Sequence, residues 1–122
     1  MKRVLIVDDD EWISEHFVRT LTRAGYDTYT ATNALVALDV VDEVSPDVII
    51  LDILLTGPNG FVLLHELRSH DDLKGIPVVL CSNTTEFLTE DMVQRYGVSR
   101  ILDKTSMTPD DLVAATKRAL FI

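Results

Sequence analysis

The chain has 122 residues, 47% apolar and 25% charged, a size that buries one core and a balance that excludes a disordered tail or a collagen-like repeat. Eleven Lys and Arg against 20 Asp and Glu leave a net charge of −9, and a broadly negative surface repels nucleic-acid backbones and anionic membranes. Apolar runs such as Val48-Ile49-Ile50-Leu51 fall far short of the ~20 residues that span a bilayer, and the one cysteine, Cys81, excludes an internal disulfide framework and a cysteine-cluster zinc site.

Met1-Lys2-Arg3 runs directly into a strand-like segment with no signal-peptide pattern, which gives the expectation of a cytoplasmic protein. Val4-Leu5-Ile6-Val7 is a continuous apolar run, the pattern of a strand buried on both faces. Ile13, Phe17, Leu21 and Ala24 then share one helical stripe, with Gly25 as the stop. Tyr26 to Ala31 reads as a strand by propensity, because it is rich in Thr and Tyr. Ala34, Ala37, Leu38 and Val41 repeat the helical spacing until Ser45-Pro46 ends it.

Val48 to Leu51 is the clearest strand, and a loop with Gly57, Pro58 and Gly60 follows it. Phe61, Leu64 and Leu67 carry a third helix. Ile76 to Cys81 reads as a fourth strand with Pro77 at its beginning, and a helix over about Glu86 to Tyr96 stops at Gly97. Val98 to Leu102 is a fifth strand. Thr108-Pro109-Asp110-Asp111 then supplies an N-cap, a proline at the first helical position and acids against the positive helix end. Leu112, Ala115, Ala119 and Leu120 complete the last helix. Five strand–helix units predict an open, doubly wound α/β fold, since parallel strands need crossovers and these are right-handed. The whole chain, residues 1–122, is expected to form one domain.

Such sheets bind ligands beyond the carboxyl ends of their strands. The first strand delivers Asp8-Asp9-Asp10 there, the third Asp52, the fourth Ser82 and the fifth Asp103-Lys104. An acid at a strand end is often only a turn former or helix cap. Several carboxylates in one crevice, however, repel one another unless a cation neutralises them. Oxygen ligands with room for water suit Mg²⁺ or Mn²⁺ better than zinc. A lysine and a hydroxyl add the donors that an incoming tetrahedral anion needs, which together are the parts of a phosphoryl-accepting carboxylate.

These residues resemble the receiver domain of bacterial two-component response regulators. The resemblance spans the chain and rests on Val4-Leu5-Ile6-Val7-Asp8-Asp9, on Asp47-Val48-Ile49-Ile50-Leu51-Asp52 with Asn59-Gly60 downstream, on Pro77-Val78-Val79-Leu80-Cys81-Ser82 and on Leu102-Asp103-Lys104. It implies a flavodoxin-like five-stranded parallel sheet in the order 2-1-3-4-5. It also implies that Asp52 is the phospho-acceptor, with Ser82 and Lys104 serving the phosphoryl group. Mg²⁺, with Mn²⁺ as the alternative ion, would be held by Asp8, Asp9, Asp52 and the backbone carbonyl of Leu54. Asp10 more simply caps the first helix. The implied donor is a phosphohistidine on a sensor histidine kinase or phosphotransfer protein, and His16, His65 and His70 do not stand in the context of such a donor. The implied output is a switch in protein contacts, to an effector protein, to an output domain outside this sequence or to a second copy as a phosphorylation-dependent dimer. The chain would be a signalling acceptor and not an enzyme.

Four positions depart from the family pattern. Ile101 stands where an aromatic residue is usual, Thr105 and Thr56 stand where prolines are common, and Asn83 replaces a small residue. Leu54 and Thr84 flank the expected path of attacking water, and the bulk of Leu54 predicts a long-lived phosphorylated form. Rival readings share parts of this pattern. A flavodoxin would need a hydroxyl- and glycine-rich first loop, which an acidic loop contradicts. A haloacid-dehalogenase-like phosphatase would use Asp8 and Asp10 but leave Asp52 without a role. A pseudo-receiver would keep the fold and forgo phosphorylation.

Overall fold

The computed structural model describes residues 1–53, 60–83 and 90–121. Strands and helices alternate: β1 (Arg3–Val7), α1 (Glu11–Arg23), β2 (Asp27–Ala31), α2 (Ala34–Val44), β3 (Val48–Asp52), α3 (Gly60–Ser69), β4 (Val78–Ser82), α4 (Glu90–Tyr96), β5 (Val98–Asp103) and α5 (Pro109–Leu120). The strands form one parallel sheet in the order β2-β1-β3-β4-β5. This is the doubly wound, flavodoxin-like architecture that the sequence predicts.

The continuous apolar runs serve two cores at once. Side chains alternate across a strand, so Leu5, Val7, Ile49, Leu51, Val78 and Leu80 pack under α2 and α3. Their neighbours Val4, Ile6, Val48, Ile50, Val79 and Cys81 pack under α1 and α5. The edge strand β2 is only half-buried over most of its length, which explains its polar sequence.

β5 breaks the alternation. Val98 and Leu102, four residues apart, would share a face in a regular strand. Instead Val98 belongs to the α2–α3 core and Leu102 to the α1–α5 core. The pairing with β4 steps from Val78–Val98 to Val79–Arg100, so Ser99 forms a bulge. That extra residue reverses the facing of everything after it and brings β5 into register with the end of β4.

Helix ends follow local chemistry. Tyr26 N–H donates to Leu21 O at 3.1 Å and Gly25 N–H to Thr22 O at 3.1 Å, with Gly25 at φ +96°. This is the Schellman stop expected of a glycine there. Thr108 and Asp111 form a reciprocal capping box around Pro109 at the head of α5. β4 begins at Val78, two residues later than the apolar run suggests, because Pro77 has no N–H to give the ladder. Of the helix expected over 86–96, α4 accounts for Glu90–Tyr96; residues 84–89 lie outside the described segments.

Arg68, at the end of α3, ties the lower edge together. Its guanidinium donates to the carbonyls of Tyr96 (2.5 Å), Lys74 (3.1 Å), Ile76 (2.9 Å) and Gly97 (3.3 Å). One side chain thus joins α3 to the approach of β4 and to the turn from α4 into β5.

Ser45 caps α2 in the left-handed region, at φ 52° and ψ 67°. A left-handed conformation costs a non-glycine residue roughly 1–2 kcal/mol, and glycine's extra freedom in the unfolded chain offsets roughly 0.5–1 kcal/mol of that. Ser45→Gly is therefore expected to stabilise the protein by about 0.5–1 kcal/mol, read as a higher urea midpoint with an unchanged slope.

Candidate functional site

The sheet registers its strands so that their last residues meet at one edge. Val7 pairs with Leu51, Asp52 with Cys81 and Ser82 with Asp103. Asp8 follows β1 directly, its N–H bonded to Ala31 O at 3.1 Å, and Lys104 follows β5, its N–H bonded to Ser82 O at 2.8 Å. Four segments distant in sequence thereby deliver Asp8, Asp52, Ser82 and Lys104 to the carboxyl edge.

The Lys104 ammonium lies between two carboxylates, 2.5 Å from Asp8 Oδ2 and 3.2 Å from Asp52 Oδ2. All three side chains are buried, with 6% of Lys104, 2% of Asp8 and 9% of Asp52 exposed. Asp8 Oδ1 also accepts the N–H of Asp10 at 2.9 Å. Burial raises the Asp8 carboxyl above its ordinary range, outweighing the opposing hydrogen bonds from Lys104 and Asp10. Burial works against the Lys104 charge, yet the hydrogen bond and charge of Asp8, with the charge of Asp52, together raise its pKa. Cys81, also buried, has its thiol pushed up to about 12, chiefly by burial. At neutral pH it is an inert core group and no nucleophile.

Asp8, Asp9 and Asp52 each offer a carboxylate oxygen, all within 4.8 Å of one another. Asp8 and Asp52 are buried and Asp9 is exposed, so this donor set has an inner wall of hard oxygens and an open side for water. Three carboxylates gather here around one lysine. The residues fit a small hard divalent cation.

Other expected residues have separate work. Asp10 Oδ1 accepts from Trp12 N at 3.0 Å and Ile13 N at 3.3 Å, capping α1 as expected. Trp12 itself is 78% exposed. Asp103 turns away from the cluster: its Oδ1 accepts the hydroxyl of Thr105 at 2.6 Å and its N–H at 2.9 Å. These bonds hold the half-buried Asp103 carboxylate below the ordinary range. Thr105, where a proline was the family expectation, gives this turn an N–H that proline lacks, and no cis peptide occurs among the described residues. Ser82 is fully buried at the end of β4, and Asn83 is exposed. Ile101 is half-buried against the α2–α3 core. His16, His65 and His70 are exposed on helices or just after one. Leu54, Thr56, Asn59 and Thr84 lie outside the described residues.

Gly60 is a site residue whose role the sequence did not disclose. Its N–H donates to Ile53 O at 2.9 Å. A Cβ on it would stand 2.6 Å from Ile53 Cα and 2.9 Å from Asp52 O. The head of α3 thus presses directly on the backbone that carries Asp52. An Asn-Gly pair eight residues downstream was the visible signal, but it reads equally well as an ordinary turn.

Fold and site together define a flavodoxin-like α/β domain with a buried lysine and an acidic cluster that could hold a metal ion at its mouth. The family model for the response regulator receiver domain matches residues 4–117. The chain is 30% identical to the DNA-binding response regulator MtrA of Mycobacterium tuberculosis over 98% of its own length and 50% of that protein. It is 31% identical to the polar-differentiation response regulator DivK of Brucella anthropi over 88% of both. Among solved structures, the chemotaxis response regulator CheY4 of Vibrio cholerae superposes with a TM-score of 0.88 at 28% identity, covering 98% of this chain and 99% of that one. The receiver domain of NtrX from Brucella abortus gives 0.86 at 30% identity, covering 97% and 98%. The chain belongs to the response regulator receiver domain family, whose members are signalling modules of two-component systems. It spans about half the length of the MtrA proteins it matches. Response regulators work with sensor kinases and effectors. No helix among the described residues is long and apolar enough to cross a membrane.

Two outcomes follow from this geometry. Gly60→Ala is expected to cost roughly 1–3 kcal/mol, because two of the three atoms its Cβ would meet, Ile53 Cα and Asp52 O, are backbone and cannot rotate aside; urea denaturation measures this. The second concerns pH. A carboxyl with a raised folded pKa contributes stability that is complete below its unfolded value of 3.8 and is lost as pH rises through the folded value. Wild type is therefore expected to gain on Asp8→Asn as pH falls from neutral towards 3.8. The opposite trend in paired denaturation curves would show that attraction to Lys104 outweighs burial.

Proposed function

We propose that this chain is a phospho-accepting switch, taking a phosphoryl group onto Asp52 from a phosphohistidine of a sensor histidine kinase or phosphotransfer protein. The observation that carries the reading is the buried Lys104 ammonium shared by Asp8 and Asp52 inside a three-carboxylate pocket. Asp52 would be the nucleophile: a carboxylate oxygen forms the new O–P bond as the donor's N–P bond breaks, and the electron pair leaves with the imidazole. Ser82, fully buried one strand away, would donate its hydroxyl to an incoming phosphoryl oxygen. Lys104 would pair with another, exchanging part of its contact with Asp52 for the more highly charged acyl phosphate. Positioning and charge compensation of this kind carry most of phosphoryl-transfer catalysis.

Asp8, Asp9, Asp52 and the backbone carbonyl of Leu54 would hold Mg²⁺, or Mn²⁺ in its place. When bound, the ion supplies the positive charge that three carboxylates and an incoming anion need in one place. The burial of Asp8 and Asp52 supports a site that excludes most bulk water, and the exposure of Asp9 supports an entry side.

In this reading the chain is a cytoplasmic signalling acceptor rather than a turnover enzyme. Output then runs through protein contacts: an effector, an attached output domain or a phosphorylation-dependent dimer. The DNA binding named for MtrA does not fit contacts by this chain, whose charge of −9 repels a phosphate backbone. The phosphatase alternative is disfavoured because it needs Asp10 in the site, whereas the Asp10 carboxylate is engaged at the head of α1.

Incubation with a small acyl-phosphate donor and Mg²⁺, followed by intact-mass measurement, tests the reading. One phosphoryl group is expected on the wild type and none on folded Asp52→Asn. Calorimetry should show Mg²⁺ binding at neutral pH that weakens on acidification as protons compete for the carboxylates. A folded wild type that takes up no phosphoryl group would make the chain a pseudo-receiver, and labelled Asp52→Asn would move the acceptor elsewhere.

A further inference from the structure

Thr105 is exposed and lies just past β5, where it would pass for an ordinary surface residue. Both of its donors converge on one atom. Its hydroxyl and its N–H reach Asp103 Oδ1 at 2.6 and 2.9 Å. These bonds close over Lys104, the residue between them. On one side, the Lys104 N–H is fixed to Ser82 O of β4 at 2.8 Å. On the other, Asp103 O accepts Ser106 N at 3.2 Å and Met107 N at 2.9 Å. The backbone on either side of this lysine is thus pinned, although the turn itself faces solvent.

A lysine stem is long and flexible, and its ammonium is a point charge with no fixed fork to orient it. Here, however, only 6% of the side chain is exposed, so the packed stem cannot re-route freely and its placement at 2.5 and 3.2 Å from two carboxylates depends on where the backbone starts it. A hydroxyl bonded to a carboxylate at 2.6 Å is among the stronger neutral-to-charged contacts. Its location makes it a restraint on Lys104 more than on the core.

We propose that the Asp103–Thr105 pair is a positioning element for Lys104: it fixes the backbone from which the ammonium reaches Asp8 and Asp52, and so sets the rate of phosphoryl acceptance without touching the reacting atoms. The rate part of this rests on Asp52 being the acceptor; the placement of Lys104 does not. A misplacement near 1 Å can cost about 10²-fold in rate, and a loosened turn should cost less, roughly tenfold.

The test compares wild type with Thr105→Val, which keeps shape and N–H but loses the hydroxyl, with Thr105→Ser, which restores it, and with Asp103→Ala, which removes the acceptor. Three quantities are read: the rate of uptake from a small acyl phosphate at saturating Mg²⁺, the urea midpoint and the NMR signal of the Lys104 ammonium. Thr105→Val and Asp103→Ala are expected to label roughly tenfold more slowly, with a displaced Lys104 signal, and Thr105→Ser to recover both. Should Thr105→Val fail to fold, Asp103→Ala carries the same comparison. A wild-type rate and unmoved Lys104 signal in the folded variants would overturn the proposal, as would a Ser variant as slow as Val. If the wild type takes no phosphoryl group, the Asp52 reading fails by itself. The Lys104 signal then decides: displacement in Val with recovery in Ser supports the positioning role, and no displacement overturns it.

Discussion

The placement of one ammonium group constrains the upper edge of this domain. Lys104 is buried beside Asp8 and Asp52, and burying charges is costly unless partners compensate closely. Two carboxylates side by side would repel each other; the lysine turns that repulsion into a shared attraction. Asp9 stands within reach of the same point. The three carboxylates gathered there offer hard oxygen ligands that fit a small divalent cation. Its electrostatic state is therefore a balance between the carboxylates and the lysine.

That balance needs a rigid frame, and the sheet provides it. Parallel strands in register bring the ends of β1, β3, β4 and β5 to one line, so residues separated by up to 96 positions meet through side chains. Gly60 packs the head of α3 onto the backbone beside Asp52, and the Ser99 bulge resets the facing of β5 before it reaches Asp103. The two cores on either side of the sheet are apolar and nearly closed to solvent. Polar chemistry is confined to the edge, where backbone groups and water remain accessible.

Much of this was legible before any coordinates. Apolar runs of four residues between helical stripes reported a sheet buried on both faces, and the acids, hydroxyl and lysine were read at the strand ends where the fold brings them to one edge. Asp10 also read correctly as a cap, because an acid just before a helical stripe has a local job available. Where the reading slipped, a non-local partner decided the outcome. Pro77 delayed the start of β4 through a ladder bond that it could not make. Gly60 looked like turn punctuation until the backbone it abuts was known. Thr105 looked like a missing proline, whereas its N–H and hydroxyl are both used.

The sequence by itself determined the alternation of strands and helices, the parallel class of sheet and the chemical inventory of the site, because hydrophobic period and residue type are local properties of the chain. Only the tertiary structure decided that Lys104 lies closer to Asp8 than to Asp52, that Asp9 faces outward, and that Asp103 holds Thr105 instead of joining the carboxylate cluster. Those outcomes depend on strand register, on a single-residue bulge and on which carboxylate becomes buried. Each is a distance between segments far apart in the chain, and a distance of that kind is set by packing rather than by neighbours in sequence.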